Sequence, residues 1–398
     1  MRGNKDFKDL PEGWKWVRLG EVIIENPKSP FKVEDCDNFG NFPFFTSGDN
    51  ILRHSHFLVD EENLFIATGG KAKINYFYDK ASYSADTYSL KVKDLNTKYI
   101  FYTLLKDVEI IDYKFFSGSG LKHLQKDDFK GSLIPLPPLP EQQKIAEILE
   151  TVDNAIEKTD KIIEKYKRIK QGLMQDLLTK GIDENGNIRD EKTHKFKDSP
   201  IGRIPEEWEV VRLGEIFNIK AGGDIDKLSY CDIKDKRFQY PIFSNTLENK
   251  GLYGYSDKFT YPENCITITG RGTLGHAIPR FEKFNAIIRV LVLIPKFEMN
   301  IVFVSEYINN KINFIIESTG VPQLTAPKVA EYYIPLPPLP EQQRIAEILS
   351  QTDQTIEKEE QYREKLQKIK QGLMEDLLTG KVKVNHLIKE GEGYVSQA

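Results

Sequence analysis

The groupings in this chain that could do chemistry are few, and each fails on spacing or setting. Gly270, Gly272 and Gly275 give the Gly-x-Gly-x-x-Gly spacing of a dinucleotide cradle. That chemistry needs a helix opening beside the third glycine, and Pro279 follows four residues later. Gly70-Lys71 and Gly380-Lys381 are followed by Ala72 and Val382, where a phosphate-binding loop needs a hydroxyl. The Asn/Asp-Pro-Pro-Tyr/Phe tetrapeptide of amino-group DNA methyltransferases is absent, since both Pro-Pro pairs follow a leucine, Leu136 or Leu336. His54, His56, His123, His194, His276 and His386 show no metal-ligand spacing and no arrangement that marks a nucleophile. Cys36, Cys231 and Cys265 are isolated, too few for a disulfide framework or a zinc site, and are expected as buried free thiols. No catalytic residue, metal or cofactor is expected on this chain.

What remains informative is repetition. Residues 134–149, IPLPPLPEQQKIAEIL, return at 334–349 as IPLPPLPEQQRIAEIL, fifteen of sixteen positions alike, with Lys144 against Arg344 the one change. IKQGLMQDLLT (169–179) returns as IKQGLMEDLLT (369–379), and LPEGWKWVRLGEVI (10–23) as IPEEWEVVRLGEIF (204–217). The offset grows from 194 to 200, so the second globular part is six residues longer. Between these anchors the copies diverge. FPFFTS (42–47) aligns with YPIFSN (240–245), TGG (68–70) with TGR (269–271), and GLKHL (120–124) with GVPQL (320–324). Two copies of one active site would repeat their catalytic residues; two readers of different targets would not.

The elements that hold this pattern follow from periodicity. From Glu141 to Leu178, apolar residues recur at Ile145, Leu149, Val152, Ile156, Ile163, Tyr166, Ile169, Leu173 and Leu177, a coiled-coil or long-bundle spacing. Pro140 and Glu141 suit a first helical turn. The second copy repeats the stripe through Ile345, Leu349, Ile356, Leu366, Ile369, Leu373 and Leu377. Each helix should be about 55 Å long. The PLPPLP runs read as stiff lead-ins to these helices. The globular parts carry short strand-like runs, among them 63–69, 82–92, 265–270 and 286–295. Residues 181–202 read as a polar connector, in which Asp183 begins a solvated turn and not a calcium loop. The predicted division is a first domain at 1–139, a helix at 140–180, a connector at 181–203, a second domain at 204–339, a helix at 340–380 and a tail at 381–398.

Bulk properties narrow the setting. The net charge of −4 over 398 residues is unusual for a lone nucleic-acid binder, so any such role requires local basic patches or partners. The polar start, Met1 to Leu10, shows no secretory signal. The most apolar stretch, 286–295, is too short to span a bilayer and contains Arg289. A cytoplasmic protein with no membrane partner is expected.

The duplicated domain, with each copy ending in IPLPPLPEQQ-[KR]-IAEIL and a helix closing on KQGLM-x-DLLT, resembles the specificity subunits of type I restriction–modification systems. The shared Pro-x-x-Trp-x-x-Val-Arg-Leu-Gly-Glu at Pro11–Glu21 and Pro205–Glu215 fits as well. The resemblance covers nearly the whole chain. It implies an α+β protein with two similar mixed α/β target-recognition domains. These would be joined by two long antiparallel coiled-coil helices in a pseudo-twofold internal repeat. Each domain would read one half of an interrupted sequence in double-stranded DNA. The helices would act as spacer and as docking surface for methyltransferase subunits, with Glu141, Gln142, Gln143, Lys144 and Glu341, Gln342, Gln343, Arg344 as the docking positions. Restriction and translocase subunits would be reached through the complex. S-adenosylmethionine and ATP would be bound by those partners, which could also supply much of the phosphate clamp. A helix of about 55 Å matches about 16 base pairs, and overlap of the helices would shorten that span.

Base-reading candidates are polar or basic residues in glycine-marked loops where the copies align and differ. They are Thr46, Ser47, Lys71, Lys73, Lys122 and His123 in the first domain, with Gly118 and Gly120 shaping a loop. In the second they are Ser244, Asn245, Arg271, Thr273, His276 and Gln323. Arg271 suits guanine, and Asn245 or Gln323 suits adenine. A scaffold that binds only proteins is the rival reading, and it gives less reason for domain surfaces to diverge on an unchanged frame.

Overall fold

The computed structural model describes residues 10–37, 39–315 and 322–388. The first nine residues of the first domain, Asn38, Gly320 and Val321 of the aligned GVPQL, and the last ten of the tail lie outside them. The chain forms two compact units, residues 1–161 with 360–398, and residues 162–359. These units are not the sequential repeats, because each takes in the end of the other repeat's long helix.

In the first unit, a four-stranded antiparallel sheet runs in the order Ile23–Glu25, Thr87–Val92, Asn63–Ala67, Ile74–Phe77. A second sheet has the order Leu52–His54, Phe42–Phe45, Lys80–Tyr83, Val59–Asp60, its middle pair parallel. Every residue of Asn63–Ala67 is buried, which explains its unbroken apolar run: a strand covered on both faces does not alternate. Asn96 caps the helix Thr97–Lys106 by accepting from the Tyr99 amide. Strand Lys15–Arg18 pairs with Leu133–Leu136, the lead-in to the first long helix, Leu139–Leu177.

The second unit repeats this plan. Its sheet runs Phe217–Ala221, Val290–Pro295, Cys265–Thr269, Ala277–Arg280. Tyr240–Phe243 pairs antiparallel with Leu252–Ser256 and parallel with Asn285–Ala286. Asn300 caps the helix Ile301–Lys311, and Glu209–Arg212 pairs with Tyr333–Leu336. The second long helix is Leu339–Leu378. The third glycine of the Gly-x-Gly-x-x-Gly opens a strand and no helix, so the dinucleotide reading falls on geometry.

Each core is closed by a borrowed helix end. Met374, Leu377, Leu378 and Val384 enter the core of the first unit, and Leu177, Leu178 and Ile182 that of the second. Within the first unit the two helices run antiparallel, Asp153 pairing with Lys370 at 2.6 Å and Asp160 with Arg363 at 3.2 Å. In the second unit Lys170 pairs with Asp353 at 2.7 Å.

Four sequence expectations are corrected. Ile169 and Ile369, counted in the apolar seam, are exposed, because packing turns the seam away from them. The connector is not a solvated loop throughout. Asp183 does form a turn, accepting from the amides of Asn185 and Asn187, but Ile182 and Arg189 are buried and Phe196–Ser199 pairs with Gly202–Pro205. Of the three thiols only Cys265 is buried; Cys36 and Cys231 are half-buried. Glu141, Gln142, Glu341 and Gln342 face inward and are described next. Among the described residues no helix is long and apolar enough to cross a membrane.

Candidate nucleic-acid interface

The most repeated residues of the chain turn out to be structural. Trp14 Nε1 donates to Glu141 Oε2 at 3.1 Å, and Trp208 Nε1 to Glu341 Oε2 at 3.1 Å. Gln142 donates to Pro137 O at 2.8 Å and accepts from the Asn96 amide at 3.1 Å. Gln342 does the same with Pro337 O at 2.7 Å and the Asn300 amide at 3.0 Å. All four are buried, so Glu141, Gln142, Glu341 and Gln342 are not docking residues. They lock each long helix to its own domain, because buried polar groups must be satisfied inside the chain. Gln143 and Gln343 are exposed, Lys144 pairs with Glu147 and Arg344 with Glu347. In the second unit Arg189 also forks onto Glu341. Burial opposes the charge on Arg189, but Glu341 and Glu207 outweigh it and raise its pKa. In the first unit the Asn385 amide meets Glu141 instead.

The loops at one edge of each main sheet gather the base-reading candidates, and the same backbone frame holds them in both units. In the first, Ser47 Oγ accepts from the Thr68 amide at 3.1 Å and donates to Asp86 O. The Leu124 amide donates to Thr68 O at 3.0 Å and the Gly70 amide to Lys122 O at 2.9 Å. In the second, Asn245 Oδ1 accepts from the Gly270 amide at 2.8 Å, and the Leu324 amide donates to Gly270 O at 3.0 Å.

Strand register fixes the equivalence. Ala67 lies opposite Thr87, and Thr269 opposite Val290. Thr68 therefore matches Gly270, and Gly70 matches Gly272, both left-handed at φ +82° and +69°. The sequence alignment of TGG with 269–271 is off by one residue, because the conspicuous Thr-Gly pair is not structurally equivalent.

Within this frame the candidates divide. Thr46 is buried and accepts from the Gly48 amide. Lys73 donates to the carbonyls of Gly48 and Asp49, tying two loops together. Lys122 pairs with Asp112 at 3.7 Å, and Asp112 also accepts from the Ala72 amide. Lys71 and His123 are exposed, as are Arg271 and Thr273. Lys71 and Arg271 make no ion pair among the described residues. Ser244 is held to Gly251 O. His276 is half-buried, and burial pushes its imidazole below the usual range, leaving it neutral near pH 7.

Gln323 Oε1 accepts from Arg289 and Asn245 Oδ1 from Gly270. Each oxygen keeps a second lone pair, so the protein contact orients these two amides without barring a contact to adenine. Sequence reasoning missed Asp112 and Arg289, which organise this face; no motif marks them, and Asp112 reaches it from the helix Val108–Phe115 while strand register brings Arg289. Among the described residues no cluster of His, Cys, Asp or Glu could hold a metal.

The likeness to known proteins agrees with this construction. A family model for the type I restriction modification DNA specificity domain matches residues 11–167 and again 205–368. The chain is 28% identical to the type I restriction enzyme MjaVIII specificity subunit of Methanocaldococcus jannaschii, over 96% of this chain and 97% of that one. It is 32% identical to the putative MjaX specificity subunit of the same organism, over 82% of this chain and 73% of that one. The crystal structure of the type I restriction–modification S subunit from M. genitalium has the same fold, with a TM-score of 0.68 at 18% identity, covering 92% of this chain and 96% of that one. With two specificity-domain matches over most of its length, each ending on a Trp–Glu-locked helix, the chain belongs to the type I restriction–modification DNA specificity family.

Proposed function

We propose that each compact unit reads one half of a two-part target in double-stranded DNA, while the long helices set the gap and dock methyltransferase subunits. One observation carries the reading. The two loop faces share their frame, the Thr68 and Gly270 amides donating to the side chains of Ser47 and Asn245 and their carbonyls accepting from the Leu124 and Leu324 amides, yet one exposes Lys71 and His123 and the other Arg271 and Thr273. A frame held constant under a varied surface is what two unlike half-sites require.

The helices carry a surface suited to partners. Ile162 and Ile169 are each 40% exposed, and their counterparts Tyr362 and Ile369 are 51% and 42% exposed. Residues seven apart share a helix face, so each helix presents an uncovered apolar pair at the same place in the repeat. The occupant that fits is a helix of a methyltransferase subunit, since the pairs lie on the repeated frame and away from the divergent loops. Restriction subunits would join through that complex. This also accounts for the net charge of −4: partners supply phosphate contacts while this chain supplies base contacts.

Co-expression with methyltransferase subunits, followed by mapping of methylated bases, tests the reading. Methylation confined to a two-part motif is expected. Tight partner binding with methylation that lacks sequence preference would refute it.

A further inference from the structure

Strand register places two oppositely charged residues at one position of the repeated frame. Thr87 and Val290 open equivalent strands, opposite Ala67 and Thr269, so Asp86 and Arg289 are counterparts. Both border the loop frame described above. Asp86 O accepts from Ser47 Oγ, Thr68 N and Thr68 Oγ1, and its side chain is exposed. Arg289 is half-buried, and Gln323 fixes one of its terminal nitrogens. Its Nε is shielded from solvent and has no partner among the described residues. A shielded guanidinium N–H without an acceptor is unfavourable in the free protein, and the terminal nitrogens, not Nε, are the groups left to meet a ligand. Neither residue belongs to a sequence motif.

We infer that Asp86 and Arg289 are the charge-reversed specificity positions of the two faces, Arg289 reading a guanine and Asp86 the amino group of a cytosine. The inference rests on the DNA-reading function proposed above. The chemistry follows from donor and acceptor counts. An arginine fork donates to guanine O6 and N7, and a carboxylate accepts from cytosine N4. Gln323 acts as a positioning residue for Arg289, holding the guanidinium plane through one nitrogen. A carboxylate next to DNA is repelled by phosphate, so an acid at this place is informative only if it meets a base edge. The charge reversal also gives the repeat a direct way to specify unlike half-sites with one backbone.

The test uses the full chain with its methyltransferase partners, as wild type, Arg289→Gln and Asp86→Asn, each checked for folding by thermal unfolding. Methylated bases are mapped, and duplex binding is measured across salt concentrations. Arg289→Gln should relax one position in one half of the motif and leave the other half intact. Affinity for the cognate duplex should fall about ten- to hundredfold with an unchanged salt slope. Asp86→Asn should relax one position in the other half. Three outcomes overturn the assignment. These are an unaltered motif in both variants, a change in both halves from one substitution, or equal weakening on all sequences with the salt slope reduced by about one, which marks a phosphate contact. A wild-type complex with no two-part motif defeats the proposed function itself, and this assignment with it.

Discussion

At the residue scale, a carboxylate that looks like a surface docking group in sequence is buried in the fold. Glu341 accepts from Trp208 and Arg189 with both oxygens, and Arg189 is itself only 7% exposed. Removing one member of a buried pair leaves an uncompensated charge. Glu341→Ala should therefore destabilise the chain by about 3–5 kcal/mol, and Trp208→Phe, which deletes one bond to a charged acceptor, by about 1.5–3 kcal/mol. Thermal unfolding of the single variants checks both; equal, negligible shifts would show that the lock bears no load. The sequence exposed the repetition of these residues but not their orientation. A Glu-Gln pair at a helix start reads as solvated, and its burial depends on a tryptophan more than a hundred positions away. The loops that carry the base-reading candidates were legible for the opposite reason, since local glycines mark them. Asp86 and Arg289 carried no such mark.

At the element scale, a left-handed glycine follows each long helix and admits a side chain of the other repeat, Trp208 at Gly181 and Pro11 at Gly380. Gly181 has φ +62°, and a Cβ there would lie 2.1 Å from Glu341 Oε1 and 2.4 Å from Trp208 Cζ2. Gly380 has φ +73°, with a Cβ 2.4 Å from Pro11 Cγ. The left-handed backbone alone costs a side chain about 1–2 kcal/mol, so Gly181→Ala and Gly380→Ala should each lose more than that on unfolding. A neutral result would mean that the helix end does not pack as described. The exposed apolar pairs behave differently. Ile169→Lys and Ile369→Lys should leave stability within about 0.5 kcal/mol yet weaken methyltransferase-subunit binding by about tenfold or more, measured by titration of purified components. Intact binding in the double variant would remove this stripe from the interface. Helices were legible because their period is local, and buried strands because their apolar runs are unbroken. The borrowed helix ends and the buried part of the connector were not, because long-range closure, and no local signal, recruits Leu177, Leu378 and Arg189 to cores.

At the scale of the whole molecule, the claim is one repeated frame carrying two different readers. The frame was legible from fifteen matching positions in sixteen, while the one-residue shift between Thr68 and Gly270 emerged only from strand pairing. Shortening a long helix by one turn should alter the gap between half-sites and leave the half-sites unchanged, read by methylation mapping; altered half-sites would show that the helix does more than space them. The most direct measurement is the methylation motif of a chain whose residues 14–133 are exchanged for the corresponding segment of another specificity protein, in complex with its methyltransferase partners. A motif changed in one half only, with the second half and the gap retained, is predicted. A change in both halves, or retention of the original motif, would contradict the separation of frame from reader.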